Sequence, residues 1–190
     1  MAETILVLAA GASTRFGSMK QLALWQGRPL IRFVVEEALA VRGDVVVVVG
    51  AQTDDVRRAL EGLACRIVEA TNWSAGPGAS LKAGLEAIAP TSPGVLVTLV
   101  DLPRVTRATF TRLLETPGPL GAAAFSDTIG APAVFRPPFL EQLKELDDAK
   151  GAKALLQRHL ASVTRVPCPE AALDVDTREA LAALSEDRPT

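Results

Sequence analysis

Two cationic side chains stand in a short loop that follows the first apolar segment of the chain. The apolar run Thr4–Leu8 is followed by small residues at positions 9–13, and then by Arg15 and Lys20. Such a run is typical of a buried parallel strand, and the small residues let the backbone turn and expose its N–H groups. A planar guanidinium and a compact ammonium bind phosphate oxygens in two different ways. The spacing predicts a polyphosphate site, the alternative being an ordinary loop with two solvated cations.

A carboxylate follows a second apolar run. Residues 95–100 have the composition of a buried strand, and Asp101 comes directly after them. Because the carboxyl ends of parallel strands share one edge of a sheet, we expect Asp101 to lie beside the loop of Lys20. A Mg²⁺ ion that bridges phosphates needs hard oxygen ligands at that place. Asp101 could instead cap the next helix, but Thr106 is better placed to do so.

A turn-rich stretch, T-N-W-S-A-G-P-G-A-S-L at residues 71–81, precedes a predicted helix over residues 80–88. The first N–H groups of a helix have no partner within the helix. We therefore expect Ser80 and the backbone around Gly76 and Gly78 to hydrogen-bond the base or sugar of a ligand. The alternative is that Ser80 only caps its helix.

Strand and helix patterns alternate along the chain. Apolar runs predict strands at residues 4–8, 45–49, 65–69, 95–100, 121–125, 133–135 and 163–166. Periodicity and capping residues predict helices at 29–43, 53–60, 80–88, 106–114, 137–146, 150–160 and 177–184. This alternation predicts an α/β fold: a single doubly wound, mostly parallel sheet with helices on both faces and ligands at the carboxyl ends of the strands.

Composition limits the class of protein. The 190 residues include 20 Lys and Arg and 22 Asp and Glu, a net charge of −2, which argues against a general nucleic-acid binder. The length predicts one domain over residues 1–186 with a short tail at 187–190. Cys65 and Cys168 match no disulfide or zinc spacing. No leader or membrane span is recognisable, so we expect a cytoplasmic protein without a membrane or nucleic-acid partner.

The loop at residues 9–20 matches neither of two common phosphate-binding glycine loops. A Walker loop needs Lys directly after its second glycine, whereas Gly17 is followed by Ser18 and Met19. The dinucleotide fingerprint needs a second glycine where Ser13 stands. The remaining pattern, L-A-A-G-x-S-x-R-x-G-x-x-K ending at Lys20, resembles the signature loop of the MobA-like nucleotidyltransferases. It is most similar to the branch of the molybdenum cofactor cytidylyltransferases.

The resemblance implies a Rossmann-like nucleotidyltransferase fold and a set of ligand-binding residues. The residues that it places on the nucleotide are Leu8, Ala9, Ala10, Gly11, Arg15, Lys20, Asn72, Gly76 and Ser80. The stretches V-D-L-P and D-V-D-T resemble the two places at which this family approaches a metal, so Asp101 and Asp176 would hold Mg²⁺. For Asp176 the alternative is a solvated turn carboxylate, because Thr177 can cap the last helix.

The resemblance also implies a reaction. CMP would pass from CTP to the phosphate of molybdopterin cofactor with release of pyrophosphate, and a molybdoenzyme would be a further partner. Arg15, Lys20 and Asp101 would act in catalysis by neutralising the charge that grows on the phosphates. Lys20 is expected to face solvent, as a loop lysine in a phosphate site. No His or Cys base is required, since the attacking phosphate is already ionised.

The choice of base and of acceptor is less determined by these motifs. Guanylyl relatives carry Gly where this chain has Ala10, whose methyl would crowd the base pocket, so CTP is favoured and UTP is the alternative. Ala131 and Ala149 stand where the molybdopterin branch has His and Asp. The alternatives are therefore transfer to another phosphorylated small molecule, such as a sugar phosphate, or a non-catalytic nucleotide or cofactor carrier that matures a molybdoenzyme.

Overall fold

The computed structural model describes residues 2–13, 16–51 and 53–186. Its strands are β1 (Thr4–Leu8), β2 (Leu24–Trp25), β3 (Arg28–Pro29), β4 (Val45–Val49), β5 (Arg66–Glu69), β6 (Val95–Leu99), β7 (Leu120–Phe125), β8 (Thr128–Phe135) and β9 (Thr164–Pro167). Its α-helices are α1 (Leu30–Leu39), α2 (Thr53–Ala59), α3 (Pro77–Glu86), α4 (Arg107–Leu114), α5 (Phe139–Lys144), α6 (Ala152–Arg158) and α7 (Arg178–Glu186). The predicted phosphate ligand Arg15 and the predicted tail at 187–190 lie outside the described residues.

Seven of the described strands form one sheet in the order β5-β4-β1-β6-β8-β7-β9. Neighbouring strands are parallel except at β8, which runs antiparallel to both β6 and β7. The five valines of β4 are at most 1% exposed, because helices cover both faces of the sheet. The predicted doubly wound, mostly parallel α/β fold is confirmed.

The register of the central strands brings their carboxyl ends to one level. Leu8, the last residue of β1, pairs with Val48 of β4 and with Leu99 of β6. The backbone N–H of Val100 donates to the carbonyl of Leu8 at 3.2 Å. The loop after β1 and the segment of Asp101 after β6 therefore leave the sheet side by side.

The core lies on both faces of this sheet. Ile5 and Val7 face the layer of α1 and α4, while Leu6 faces the layer of α3 and α5. Each such fully buried aliphatic side chain contributes about 1.5–3 kcal/mol to folding. A Cβ atom at Gly84 of α3 would lie 2.5 Å from Leu6 Cδ1, so this glycine lets α3 pack closely on the sheet. None of the helices in the described part of the chain has the length and hydrophobicity of a transmembrane span.

Helix α3 begins one turn earlier than predicted. Pro77 occupies its first turn, where a fixed φ and a missing N–H are tolerated, and Gly76 precedes it with a φ of +137°. Ser80 thus lies inside the helix, 7% exposed, and the interpretation of Ser80 as a simple helix cap is wrong. The hairpin strand β8 also begins earlier than predicted, at Thr128, and the two-residue strands β2 and β3 are too short to give a pattern in the sequence.

The start of α4 is capped from another helix. Thr106 makes no side-chain capping bond, contrary to the prediction. The carboxylate of Glu37 on α1 instead accepts the backbone N–H of Arg107 at 2.8 Å and its guanidinium at 2.7 Å. The hydrogen bond from the Arg107 side chain is the main cause that holds the pKa of Glu37 below its usual value. Asp101 nevertheless takes no part in this cap, because its carboxylate binds another residue.

Candidate active site

Lys20 lies between two carboxylates at the carboxyl edge of the sheet. Its Nζ donates to Asp101 Oδ2 at 2.9 Å and to Asp176 Oδ1 at 3.2 Å. The prediction that Lys20 faces solvent is wrong: the residue is 9% exposed, because it begins a short 3₁₀ turn between the buried residues Met19 and Gln21. The structure thus brings together the three charged residues that the sequence distributes over more than 150 positions.

Backbone hydrogen bonds explain why the two carboxylates meet. Asp101 is carried to the edge by β6, and its carbonyl accepts the N–H of Val175 at 2.9 Å. This bond fixes the segment that carries Asp176. The next residue, Thr177, accepts the N–H of Ala180 on its hydroxyl at 3.2 Å and so caps α7. Asp176 is therefore not needed as the cap and points its carboxylate at Lys20.

Asp101 and Asp176 could hold a Mg²⁺ ion together, because both supply hard carboxylate oxygens. Both contact one nitrogen atom, so the two contacting oxygens are no more than about 6 Å apart. Asp101 Oδ1 is buried and has no hydrogen-bond partner among the described residues. This oxygen is therefore available as a ligand for a metal ion. No three acidic, His or Cys side chains converge within the described part of the chain. An ion here would take two protein ligands and complete its shell with phosphate oxygens and water, as Mg²⁺ commonly does.

A cavity of about 350 Å³ lies at the same edge, and we call it the edge cavity. It is lined by Leu8, Ala10, Gly11, Trp73, Ser74, Gly76, Pro77, Ser80 and Leu99. Five of these residues were predicted to bind the nucleotide, whereas no role was predicted for Trp73. Three other predicted residues in the described part of the chain do not line the cavity, and Lys20 is one of them. Ala9 is buried with its carbonyl bonded inside the loop, and Asn72 is exposed with its carbonyl bonded to Ala75 N.

The backbone N–H groups of Gly76 and Gly78 are bonded within the protein. Gly76 N donates to Trp73 O at 3.2 Å, and Gly78 N donates to Asp148 O at 2.9 Å. These two N–H groups are therefore already used within the protein, and binding of a base or sugar by Ser80 and the neighbouring backbone stays a prediction. Residue 78 must be glycine because there is no room for a side chain: a Cβ atom there would lie 2.3 Å from the carbonyl oxygen of Asp147.

Gln21 holds the signature loop in place, and sequence reasoning missed it. Its Nε2 donates to the carbonyls of Ala9 at 2.8 Å and Gly11 at 2.7 Å, and its Oε1 accepts the hydroxyl of Ser13 at 3.0 Å. The side chain is 1% exposed, and Ser13 has the left-handed φ of +56°. The available signal was an amide directly after Lys20 in an otherwise apolar stretch, because a buried amide must find hydrogen-bond partners.

We expect Gln21→Glu to lower the free energy of unfolding by about 1–3 kcal/mol, because the carboxylate keeps the size of the amide but cannot donate to the two carbonyls. The loop should loosen, and KM for the nucleotide should rise. Urea unfolding and steady-state kinetics measure the two effects. Gln142→Glu, at an amide that contacts His159 away from the loop, is the matched control. An unchanged KM in a folded Gln21→Glu protein would contradict the role of Gln21 in shaping the loop.

Comparison with known families agrees with this geometry. Residues 5–163 match the family described as the MobA-like NTP transferase domain. The matched range contains Lys20 and Asp101 but ends before Asp176.

Two curated relatives share part of the chain. A nicotine blue oxidoreductase from Paenarthrobacter nicotinovorans is 39% identical over 138 residues, which cover 70% of this chain and 66% of the relative. A probable molybdenum cofactor guanylyltransferase from Bacillus cereus is 32% identical over 112 residues, which cover 58% of this chain and 54% of the relative. In neither comparison does the matched segment reach two thirds of the relative's own length.

Solved structures resemble the chain over almost its whole length. Rv0371c from Mycobacterium tuberculosis superposes with a TM-score of 0.83 at 26% identity, covering 99% of this chain and 100% of the other. A further structure of that protein is of its complex with manganese. A nucleotidyl transferase from Methanothermobacter thermautotroptrophicus has a TM-score of 0.84 at 21% identity, covering 97% and 96% of the two chains, which shows the shared fold.

Proposed function

The chain belongs to the MobA-like NTP transferase family, and we propose that it transfers CMP from CTP to the phosphate of a small acceptor, with molybdopterin as the first candidate. The observation that carries the proposal is the position of Lys20 between Asp101 and Asp176, beside the signature loop and the edge cavity. A nucleotidyltransferase needs little covalent help from the protein. It must hold the triphosphate in line and neutralise its charge.

The residues divide this work between base and phosphates. The edge cavity is largely apolar and receives the base, with Ala10 and Ser80 in its wall. The Gly11 backbone, Lys20 and Arg15 are proposed to bind the phosphates. The Lys20 ammonium has three N–H donors, of which two are used by the carboxylates, so one is available to a phosphate oxygen.

The transfer forms one bond and breaks one. An ionised phosphate oxygen of the acceptor attacks the α-phosphorus of CTP, the bond from that phosphorus to the oxygen of the β-phosphate breaks, and pyrophosphate leaves. Asp101 and Asp176 would hold Mg²⁺, which when bound supplies positive charge at the phosphates. Because the nucleophile is already ionised, the protein need not supply a general base.

Nucleotide-dependent stabilisation tests the choice of base. With Mg²⁺ present, CTP should raise the melting temperature more than GTP or ATP, because the Ala10 methyl narrows the edge cavity against a purine, and stronger stabilisation by UTP than by CTP would favour the uridylyl alternative. A hundred-fold excess over Kd should add about 2.7 kcal/mol to the free energy of unfolding. Ala10→Gly should shift the preference towards purines. Stronger stabilisation by GTP than by CTP would contradict the cytidyl assignment and favour the activity named for the Bacillus cereus relative.

Pyrophosphate release tests the reaction and its acceptor. Ala149, which departs from the molybdopterin pattern, lies against Gly76, where a Cβ atom would come within 2.8 Å of its Cα. The segment of Ala149, where this chain departs from the molybdopterin branch, thus touches Gly76 in the wall of the edge cavity. We expect pyrophosphate from CTP with molybdopterin. Release only with a sugar phosphate would favour the second acceptor class, and nucleotide binding without release would favour a carrier.

A redox activity is the second candidate function, because the relative from Paenarthrobacter nicotinovorans bears the name of an oxidoreductase. An oxidoreductase would use the same edge cavity for a nucleotide cofactor and would release no pyrophosphate. Oxidation of added NADH or NADPH in the presence of an electron acceptor, without cleavage of CTP, would support it over nucleotidyl transfer.

A further inference from the structure

The edge cavity has one aromatic side chain among its lining residues, and it belongs to Trp73. Trp73 opens a short 3₁₀ turn, Trp73–Ala75, between β5 and α3. The indole is half-buried and packs on the core layer of α3 and α5. Trp73 lines the edge cavity together with Ala10 and Ser80.

The indole is held in a fixed place. A Cβ atom at Gly50 would lie 2.7 Å from Trp73 Cγ and 2.8 Å from Cδ1, so the ring rests against the backbone just after β4. The same Cβ atom would lie 2.7 Å from the carbonyl oxygen of Ala10. The turn is tied at both ends, since Trp73 N donates to Ala70 O and Trp73 O accepts Gly76 N, each at 3.2 Å. The absence of a side chain at Gly50 therefore positions the ring beside the signature loop.

We infer that Trp73 is the stacking surface for the nucleobase, an inference that rests on the proposed function. A base is a flat, apolar-faced ring, and an aromatic side chain binds it through its face whatever the pattern of donors on its edge. The hydroxyl of Ser80 and the loop backbone at Ala10 and Gly11 are then left to distinguish one base from another. Stacking supplies affinity for the base, while Lys20 acts on the phosphates.

Tryptophan fluorescence reports on this contact directly. The other tryptophan, Trp25, is 5% exposed and its Nε1 is buried without a partner among the described residues, so Trp25→Phe should be tolerated. In that single-tryptophan protein, Mg²⁺ with CTP should quench the emission of Trp73. Inorganic tripolyphosphate, which carries the charge without a base, should leave it nearly unchanged. Equal quenching by both ligands would overturn the inference.

Affinity measured by calorimetry gives the second test. Trp73→Leu should raise the Kd for CTP by roughly 10- to 100-fold, because leucine fills part of the space without a π face, whereas Trp73→Phe should change it by only a few-fold. The Kd for tripolyphosphate should stay the same in both variants, and Trp25→Phe is the matched control.

The two tests separate this inference from the proposed function. CTP binding that is unaffected by Trp73→Leu would overturn the stacking role while leaving nucleotidyl transfer intact. An equal loss of CTP and tripolyphosphate binding would also overturn it, because the substitution would then have acted through the loop. Failure of every nucleoside triphosphate to bind the wild-type protein would overturn the proposed function and the stacking role together.

Discussion

Replacing Lys20 by methionine is expected to lower kcat/KM for nucleotidyl transfer by about 100- to 1000-fold, the effect of removing one preorganised charged donor from a transferred group. Methionine has nearly the length of lysine and can fill most of the same buried space, but it carries no charge for the phosphates. Steady-state release of pyrophosphate at saturating and limiting CTP measures the loss.

The same substitution also affects stability. Lys20 pairs with two carboxylates, and its side chain is 11% exposed, so its loss removes the positive charge that Asp101 and Asp176 share. We expect the free energy of unfolding to fall by about 1–3 kcal/mol, less than for a fully buried pair, because the Asp176 side chain is 33% exposed. Circular dichroism at the assay temperature shows whether the variant is folded.

Lys144→Met is the matched control for this prediction. Lys144 also pairs with a carboxylate, that of Glu141, but it lies on the surface of α5 with 46% of its side chain exposed. Its replacement should change neither kcat/KM nor stability by a measurable amount. A folded Lys20→Met protein with almost normal kcat/KM would show that Lys20 only holds the two carboxylates together.

The sequence predicted the positions of the backbone elements better than the contacts made by side chains. The valine run of β4 could be assigned because a strand buried on both faces is apolar throughout. The convergence of Lys20 and Asp101 followed from the shared edge of parallel strands. The burial of Lys20 did not follow, because a three-residue 3₁₀ turn between buried residues leaves no periodic pattern in the sequence. Its contact with Asp176 did not follow either, because the segment of Asp176 is held by the hydrogen bond between Val175 N and Asp101 O.

The missed residues share a physical reason. Gln21 acts on carbonyl groups ten to twelve positions before it, and no periodic pattern records a bond between a side chain and the backbone of a loop. Trp73 stands in a turn where an aromatic residue has no strand or helix period. The place of its indole ring depends on Gly50, because a side chain at that residue would overlap the ring.

The second large effect concerns the two carboxylates. Asp101→Asn and Asp176→Asn should each lower kcat by about 100-fold or more, because an amide is a poor ligand for Mg²⁺ and carries no charge. The double variant should be little worse than the poorer single variant, since the two side chains serve one ion and one lysine. Asp55→Asn, at a carboxylate paired with Arg58 on the surface of α2, is the control and should leave kcat unchanged.

Stability should show the opposite pattern in the same set of proteins. Each single variant leaves Lys20 with one carboxylate partner, so its free energy of unfolding should change by no more than about 1 kcal/mol. The double variant removes both carboxylate partners of a buried ammonium and should lose about 3 kcal/mol, more than the sum of the two single changes. Urea unfolding without metal or nucleotide measures these differences. In the double variant, the fold-losses in kcat could instead equal the product of the single losses, and the losses in free energy of unfolding could equal their sum. That result would show that Asp101 and Asp176 act independently, and the shared site would have to be abandoned. Sub-additive loss of activity combined with more than additive loss of stability is the result expected of two carboxylates that hold one lysine in the free protein and one metal ion with the nucleotide.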